Sequence, residues 1–280
     1  LVNFAITVIA PPRYSHAAAL REPAEAVFHA LRALGHAVTI EAAPVPTAIP
    51  GARPIIFGAH LLPDFVPLAP DSIIYNLEQI GAKESPFVTP DYIRRLRDHE
   101  VWDYHAENIA ALALHGITAR LVPIGYVPEL ERIPTAEVED IDVLFYGSVN
   151  DRRRLILTSL ESRGVRVVGL FDTYGEDRDD RIARAKIVIN VHFYPTQLFE
   201  IVRVSYLLTN RKCVVSEAPV PADLAEGVAS ANYADIVGMC RFLLGDDLAR
   251  KSIAAKGHAI MRARPEAEYL RQALDTLGPL

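Results

Sequence analysis

The sequence predicts an α/β protein of two domains, each built on a parallel sheet. Three observations carry this. Short β-branched runs alternate with helical segments, the pattern of a parallel sheet covered on both faces. The alternation breaks at an acidic, apolar-poor stretch, "ELERIPTAEVEDID" (129–142), and then restarts. A chain of 280 residues is long for one compact core and comfortable for two. The boundaries that follow are an N-terminal domain over 1–130, a second domain over 138–262, and a helical segment over 263–280 that could pack back on the first.

The first strand runs from Phe4 to Ala10, and the loop "PPRYSHAA" follows it. The next segment, "REPAEAVFHALRALG", places Ala24, Val27, Phe28, Leu31 and Leu34 at helical spacing, with Gly35 as its stop. "HAVTIEA", "RPIIFGAH" and "DSIIYNLEQ" read as strands, and "ARLVPIGYVPEL" closes the first half. One helical stretch is expected from Pro90 to Leu114, with Asp103 as a helix cap beside the only tryptophan. In the second half "DVLFYGSV", "VRVVGLF", "KIVINVHF" and Cys213–Ser216 are strands. Helices are expected in "DRRRLILTSLESRG", "EDRDDRIARA", 199–211, "NYADIVGMCRFLLGDD" and the last forty residues.

Composition narrows the function. The net charge is −6 and the pI about 5.9, whereas a polynucleotide-binding surface would be basic. No apolar run approaches the ~20 residues that span a bilayer. Cys213 and Cys240 show neither a disulfide framework nor metal spacing, which suits a reducing, cytoplasmic compartment. The opening "LVNFAITVIA" lacks the positive region of a signal peptide and reads as the trimmed start of a piece of a longer protein.

Ligands of open parallel sheets lie beyond the carboxyl ends of the strands, where helix N-termini attract anions. In the second half those ends carry Gly147, Ser148 and Asn150, followed by Arg152 and Arg153. A Gly-Ser turn lets a phosphate approach the backbone, and arginine can fork onto its oxygens. The alternative is a tight turn with a solvated basic first helical turn. Asn190 and His192 end another strand. Glu200, Arg203, Leu207 and Asn210 then follow at steps of 3, 4 and 3, so they share one helix face, flanked by Tyr206. Glu217 closes the next strand, where a carboxylate could accept hydrogen bonds from ribose hydroxyls. Arginine with a helix dipole for phosphates and a carboxylate for sugar hydroxyls together suit a nucleoside diphosphate. The competing reading is a solvated face with one weak Glu200–Arg203 pair.

The first half offers His16 and Arg13 after its first strand, His60 after "FGA", and Asn76 and Glu78 at a third strand end. A histidine here could deprotonate a hydroxyl, since it titrates near neutrality; packing at a helix start is the alternative. Arg13, His60, Asn76 and Glu78 are candidates for the acceptor side.

"FYGSVNDRRRLILTSLESRG", "AKIVINVHFYP" and "FEIVRVSYLLTNRKCVVSE" together resemble the donor domain of bacterial GT-B glycosyltransferases. "YNLEQ", "WDYHAENI" and "VPIGYVPEL" extend the resemblance over most of the chain. It implies two Rossmann-like domains facing across a cleft, and sugar transfer from a nucleoside diphosphate sugar to an acceptor. No metal and no cofactor beyond that donor substrate are implied, and the acidic balance speaks against a nucleic-acid partner. In many such enzymes two glutamates stand eight residues apart. Glu200 matches the first, but the second position is Leu208. Arg203 and an arginine of the 152–153 pair would steady the departing diphosphate, and His16 would be the base of an inverting reaction. A sugar-nucleotide epimerase on the same fold and a non-catalytic nucleotide-sugar-binding module are the alternatives.

Overall fold

The structure is a computed structural model that describes residues 2–81, 85–193 and 198–277. It divides into two compact units, one of Leu1–Val127 with Pro265–Leu280 and one of Pro128–Arg264.

In the first unit six strands form a fully parallel sheet: β1 (Asn3–Ile9), β2 (Ala37–Ala43), β3 (Ala52–Phe57), β4 (Ile73–Asn76), β5 (Glu100–Asp103) and β6 (Ala119–Leu121), in the order β2-β1-β3-β4-β5-β6. The inner strands are runs of β-branched and aromatic residues because both faces are covered; Ile6, Ile9, Ile55, Ile56, Ile73 and Ile74 are fully buried. α1 (Arg21–Ala33) turns Ala24, Val27 and Leu31 inward, and Gly35, with φ of 89°, ends the turn beyond it. α2 (Pro90–Arg97) starts at Thr89, whose hydroxyl accepts the Tyr92 N–H, with Pro90 in the first turn.

The helix expected from Pro90 to Leu114 is two helices with a strand between them. Val101 and Trp102 are buried in β5, and α3 (Ala106–Leu114) begins afresh at His105. Asp103 does not cap that helix; it ends β5. A four-residue strand is too short to break a helical pattern in the sequence, and burial against β4 and β6 decides its state.

The second unit holds β7 (Ile141–Tyr146), α4 (Asp151–Glu161), β8 (Val167–Leu170), α5 (Gly175–Arg184), β9 (Ala185–Asn190), α6 (Ile201–Thr209), β10 (Val214–Glu217), β11 (Ala229–Ala231), α7 (Ile236–Leu244) and α8 (Asp247–Arg262). Its sheet is also parallel, in the order β11-β10-β9-β7-β8. β11, in "ASA", has no β-branched residue to betray it. The core gathers Val143, Phe145, Ile187, Ile189 and Val215 with Cys213 and Cys240. Burial pushes both thiols up to about 12, so they act as apolar filling.

After α8 the chain returns to the first unit, where Pro265 bridges Tyr126 and α9 (Glu266–Asp275) packs on α1. Among the described residues no helix is long and apolar enough to cross a membrane.

Candidate functional site

In the second unit, β7, β9 and β10 are neighbours, so the loops at their carboxyl ends bring distant parts of the sequence together. Glu200 stands just before α6 without capping it; its carboxylate turns back toward β9. There Oε2 accepts hydrogen bonds from Asn190 Nδ2 at 2.8 Å and His192 Nδ1 at 2.9 Å. Burial raises the Glu200 carboxyl, but the His192 hydrogen bond and the charges of His192 and Arg203 outweigh it and hold the group below its ordinary value. Glu200 Oε1 lies 3.7 Å from Arg153 Nη2 and, among the described residues, accepts no hydrogen bond.

His192 is 2% exposed, yet among the described residues its Nε2 also has no partner. With a carboxylate on Nδ1, that nitrogen carries the proton, and Nε2 offers a lone pair or, once protonated, a second donor. Buried polar atoms are normally satisfied, and among the described residues this pair holds two that are not.

Arg203 reaches the same point from the first turn of α6. Nη1 donates to Asn190 Oδ1 at 3.2 Å, its only hydrogen bond among the described residues, and the guanidinium lies over the Phe145 and Tyr146 rings. Gly147, with φ of 122°, leaves the space that Arg203 fills. Among the described residues the other four of its five N–H groups make no hydrogen bond.

Arg152 and Arg153 are held more firmly. Both Arg152 nitrogens reach the Glu217 carboxylate, and its guanidinium stacks on Tyr233 at 4.0 Å. Arg153 donates to the carbonyls of Val191 and Ser148, and burial with the nearby Arg203 charge pushes it down to about 10. Three arginines face two carboxylates here, a local balance of +1 before any charge on His192 is counted. An anion at a sheet edge beside a helix N-terminus meets a favourable field.

Several expected ligand contacts have other duties. Glu217 is engaged by Arg152 and by the His192 N–H at 3.0 Å, so its carboxylate positions the loop instead of waiting for a ribose. Asn150 caps α4 through the Arg153 N–H and donates to Phe193 O. Asn190 is fully buried and divides its bonds among Glu200, Ser216 and Arg203. The Ser148 side chain is exposed.

The polar stripe along α6 does not form one site. The helix has nine residues, about 13 Å at 1.5 Å per residue, so its two ends serve different surroundings. Leu207 is core, and Tyr206 is buried with its hydroxyl between Asp179 and Arg132. Asn210 ends the helix and binds 130–133 of the same unit. Its Oδ1 accepts the Arg132 and Ile133 N–H groups, and its Nδ2 donates to Leu130 O.

The sequence passed over Ser216 and Tyr233. Ser216 had a signal, standing next to Glu217 at a strand end; Tyr233, in a 3-10 turn far from Arg152 in sequence, had none. The segment "PTQLFE" that leads into Glu200 has its first three residues, 195–197, outside the described residues. Among the described residues no group of three or more His, Cys, Asp or Glu side chains is arranged to hold a metal ion.

In the first unit the candidates fall at the carboxyl ends of β1, β3 and β4. Arg13 is exposed, with left-handed φ of 67°, and His16 lies edge-on to Tyr14 at the start of a 3-10 turn. His60 and Glu78 come together, with Nε2 3.3 Å from Oε1. A charged pair would raise the imidazole and lower the carboxyl. Burial does the opposite to both, taking His60 down to about 4 and Glu78 up to about 7. Asn76 lies beneath Glu78 in a buried network with Asp103 and Tyr92.

No family model matches the sequence. The chain is 26% identical over 182 residues to Uncharacterized protein L140 of Acanthamoeba polyphaga mimivirus, covering 61% of this chain and 56% of that protein. It is 30% identical over 126 residues to Uncharacterized protein L137 of the same virus, covering 43% of this chain and 17% of that one. The chain thus spans about half the length of the first relative and less of the second. Both are viral, where the sequence motifs suggested bacterial proteins.

Among solved structures, a glycosyltransferase from Rickettsia africae ESF-5 superposes with a TM-score of 0.58 at 10% identity, over 98% of this chain and 97% of that one. T4 phage BGT, solved in complex with its UDP-glucose substrate, superposes with a TM-score of 0.54 at 9% identity, over 98% and 99%. The chain has a GT-B-like fold of two parallel-sheet, Rossmann-like domains.

Proposed function

We propose that the protein is a glycosyltransferase that moves a sugar from a nucleoside diphosphate sugar to an acceptor hydroxyl, with no bound metal. The observation that carries this is the second unit's cluster of Arg203, His192 and Glu200. Among the described residues, a guanidinium with one hydrogen bond stands beside two buried polar atoms that make none, at the carboxyl edge of a parallel sheet. The fold is in keeping with it, since structural neighbours include enzymes solved with UDP and UDP-glucose.

In this reading Arg203 forks onto the diphosphate, and Arg153, fixed behind it, adds its charge. As the bond from the anomeric carbon to the diphosphate breaks, negative charge grows on the leaving oxygen. Donors already in place stabilise that charge without reorganising. His192 Nε2 supplies one more hydrogen bond to the donor, oriented by Glu200. Arg152, Glu217, Asn150 and Asn190 act indirectly by holding the loops that carry these groups.

The test is calorimetric titration of UDP, GDP, CMP and dTDP into the protein and into Arg203→Ala. One diphosphate should bind the parent protein, and the variant should lose about tenfold or more, equivalent to ~1.4 kcal/mol. Equal affinity in both proteins would remove Arg203 from the site. A protein that binds none of the nucleotides would end the reading altogether.

A further inference from the structure

The first unit holds a cavity of about 300 Å³ at the carboxyl ends of β1 and β2, the edge of a parallel sheet where ligands gather. Val8 and Ala42 are partners in the register of the two strands. Alternate residues share a face, so Ile40 and Ala42 stand beside Val8 and line the cavity with it. Ala17 and Ala18, from the 3-10 turn Ser15–Leu20, line it from the other side with Arg21 and Glu25 of α1.

The gap has a cause in the sequence. Ala10, Ala17, Ala18 and Ala42 are all lining residues, and one carbon per side chain cannot close the space between turn and sheet. β2 is the edge of the sheet, so no further strand of it covers the opening. Interiors are otherwise packed to the density of organic crystals. A cavity of ~150 Å³ is enough to enclose benzene, so this one has room for a ring with a short side chain. Its mixture of apolar walls and a few polar groups is that of a small-molecule site.

The charged groups of the lining are Arg21, Glu25 and Glu41, two carboxylates against one guanidinium, a balance of −1. Arg21 Nε donates to Glu25 Oε1 at 2.7 Å, so these two offset each other, and the arginine side chain is 70% exposed. Glu41 has the Thr7 hydroxyl at 3.5 Å, a long contact that leaves its charge uncompensated by a cation. Tyr14 adds an aromatic wall. Burial, and then the charge of Glu78, hold its phenol above the ordinary value, so it stays neutral. A cation gains from carboxylates at an apolar cleft and from an aromatic wall, whereas an anion meets a repulsive field.

We propose that this cavity binds a small organic cation, a primary amine carried on one apolar ring. The ring lies against Val8, Ile40 and the alanines, and the ammonium lies toward the carboxylates. The site is built from the first unit alone and is independent of the glycosyl-transfer reading.

The experiment titrates three probes of similar shape into the full chain by ligand-observed NMR: phenethylamine, phenethyl alcohol and phenylacetate. Affinity should fall in that order, with the amine bound about tenfold or more tighter than the carboxylate. Ala42→Ile enlarges a lining side chain at an edge-strand position that suits a β-branched residue. It should abolish binding of every probe while melting followed at Trp102 stays as in the parent. Ala18→Leu repeats the block from the other side of the cavity. Arg21→Gln and Glu41→Gln alter exposed side chains, and they should move amine affinity in opposite directions, up in the first and down in the second. Phenylacetate binding as tightly as phenethylamine overturns the proposal. So does amine binding that survives both cavity-filling variants, or a parent protein that binds none of the probes at millimolar concentration.

Discussion

A Cβ atom on Gly147 would lie 2.8 Å from Nη2 of Arg203, closer than real Cβ contacts come. The backbone at Gly147 also sits at φ of 122°, a conformation that favours glycine. Gly147→Ala should therefore displace the Arg203 guanidinium and strain the turn after β7. The expected outcome is a stability loss of about 1–3 kcal/mol in urea denaturation. Nucleotide diphosphate affinity should fall about tenfold by calorimetry. Unchanged affinity would mean that the displaced guanidinium was not a ligand contact.

Leu208 occupies the place of the second glutamate in the pattern that Glu200 begins. It is fully buried, and its Cδ2 lies 2.7 Å from where a Cβ on Gly257 would stand. α6 thus meets α8 through a close contact between leucine and bare backbone. Leu208→Glu should not supply a missing donor contact; it should bury a carboxyl in that contact at a cost of several kcal/mol. A large drop in the urea midpoint is the expected readout. A variant that keeps its midpoint and gains activity would refute this account of α6.

Asn210 joins the end of α6 to 130–133 through three hydrogen bonds and returns a fourth to Tyr206 O. Asn210→Ala leaves the buried Leu130 carbonyl and the part-buried Arg132 and Ile133 N–H groups unpaired, a buried group being worth about 1–3 kcal/mol. The second unit should lose about 2–4 kcal/mol by urea denaturation, with nucleotide affinity unchanged. A selective loss of affinity at full stability would return Asn210 to the binding site.

The fold was legible in the sequence because its signals are local. β-Branched runs, the periodic face of α1 and the stop at Gly35 each act within a few residues. The same locality misled at β5, where four residues between two helices left no trace. At the candidate site, strand ends were legible as places, which is why Glu200, Arg203 and His192 fell together. Their partners were not. Whether a carboxylate waits for a ligand or is already taken depends on arginines far away in sequence, as Arg152 and Glu217 illustrate. Nor does helical spacing reveal that the length of α6 sets Asn210 too far from Glu200 to share a site.

Glu266 yields a pH prediction whose sign is fixed by burial. It opens α9 with its carboxylate accepting the Gly125 N–H, while its own N–H donates to Tyr126 O at 3.0 Å. Burial pushes the carboxyl from 4.5 up to about 8, even against that hydrogen bond. A raised folded-state pKa means that the folded protein holds its proton while the unfolded chain releases it. The resulting stability is fully present below about 4.5 and is lost as pH rises through about 8. Glu78 and Asp103, both raised to about 7, act in the same direction in the same unit. Glu266→Gln replaces the protonated carboxyl with a neutral group of the same shape, so it removes the Glu266 share alone. Trp102, the sole tryptophan, is buried in β5, and its fluorescence reports the first unit by itself. Melts followed at Trp102 should nearly coincide for parent and variant at pH 5. The variant should melt increasingly above the parent as pH approaches 8.5. Parallel curves across that range would place the Glu266 carboxylate in a more polar setting than its burial implies.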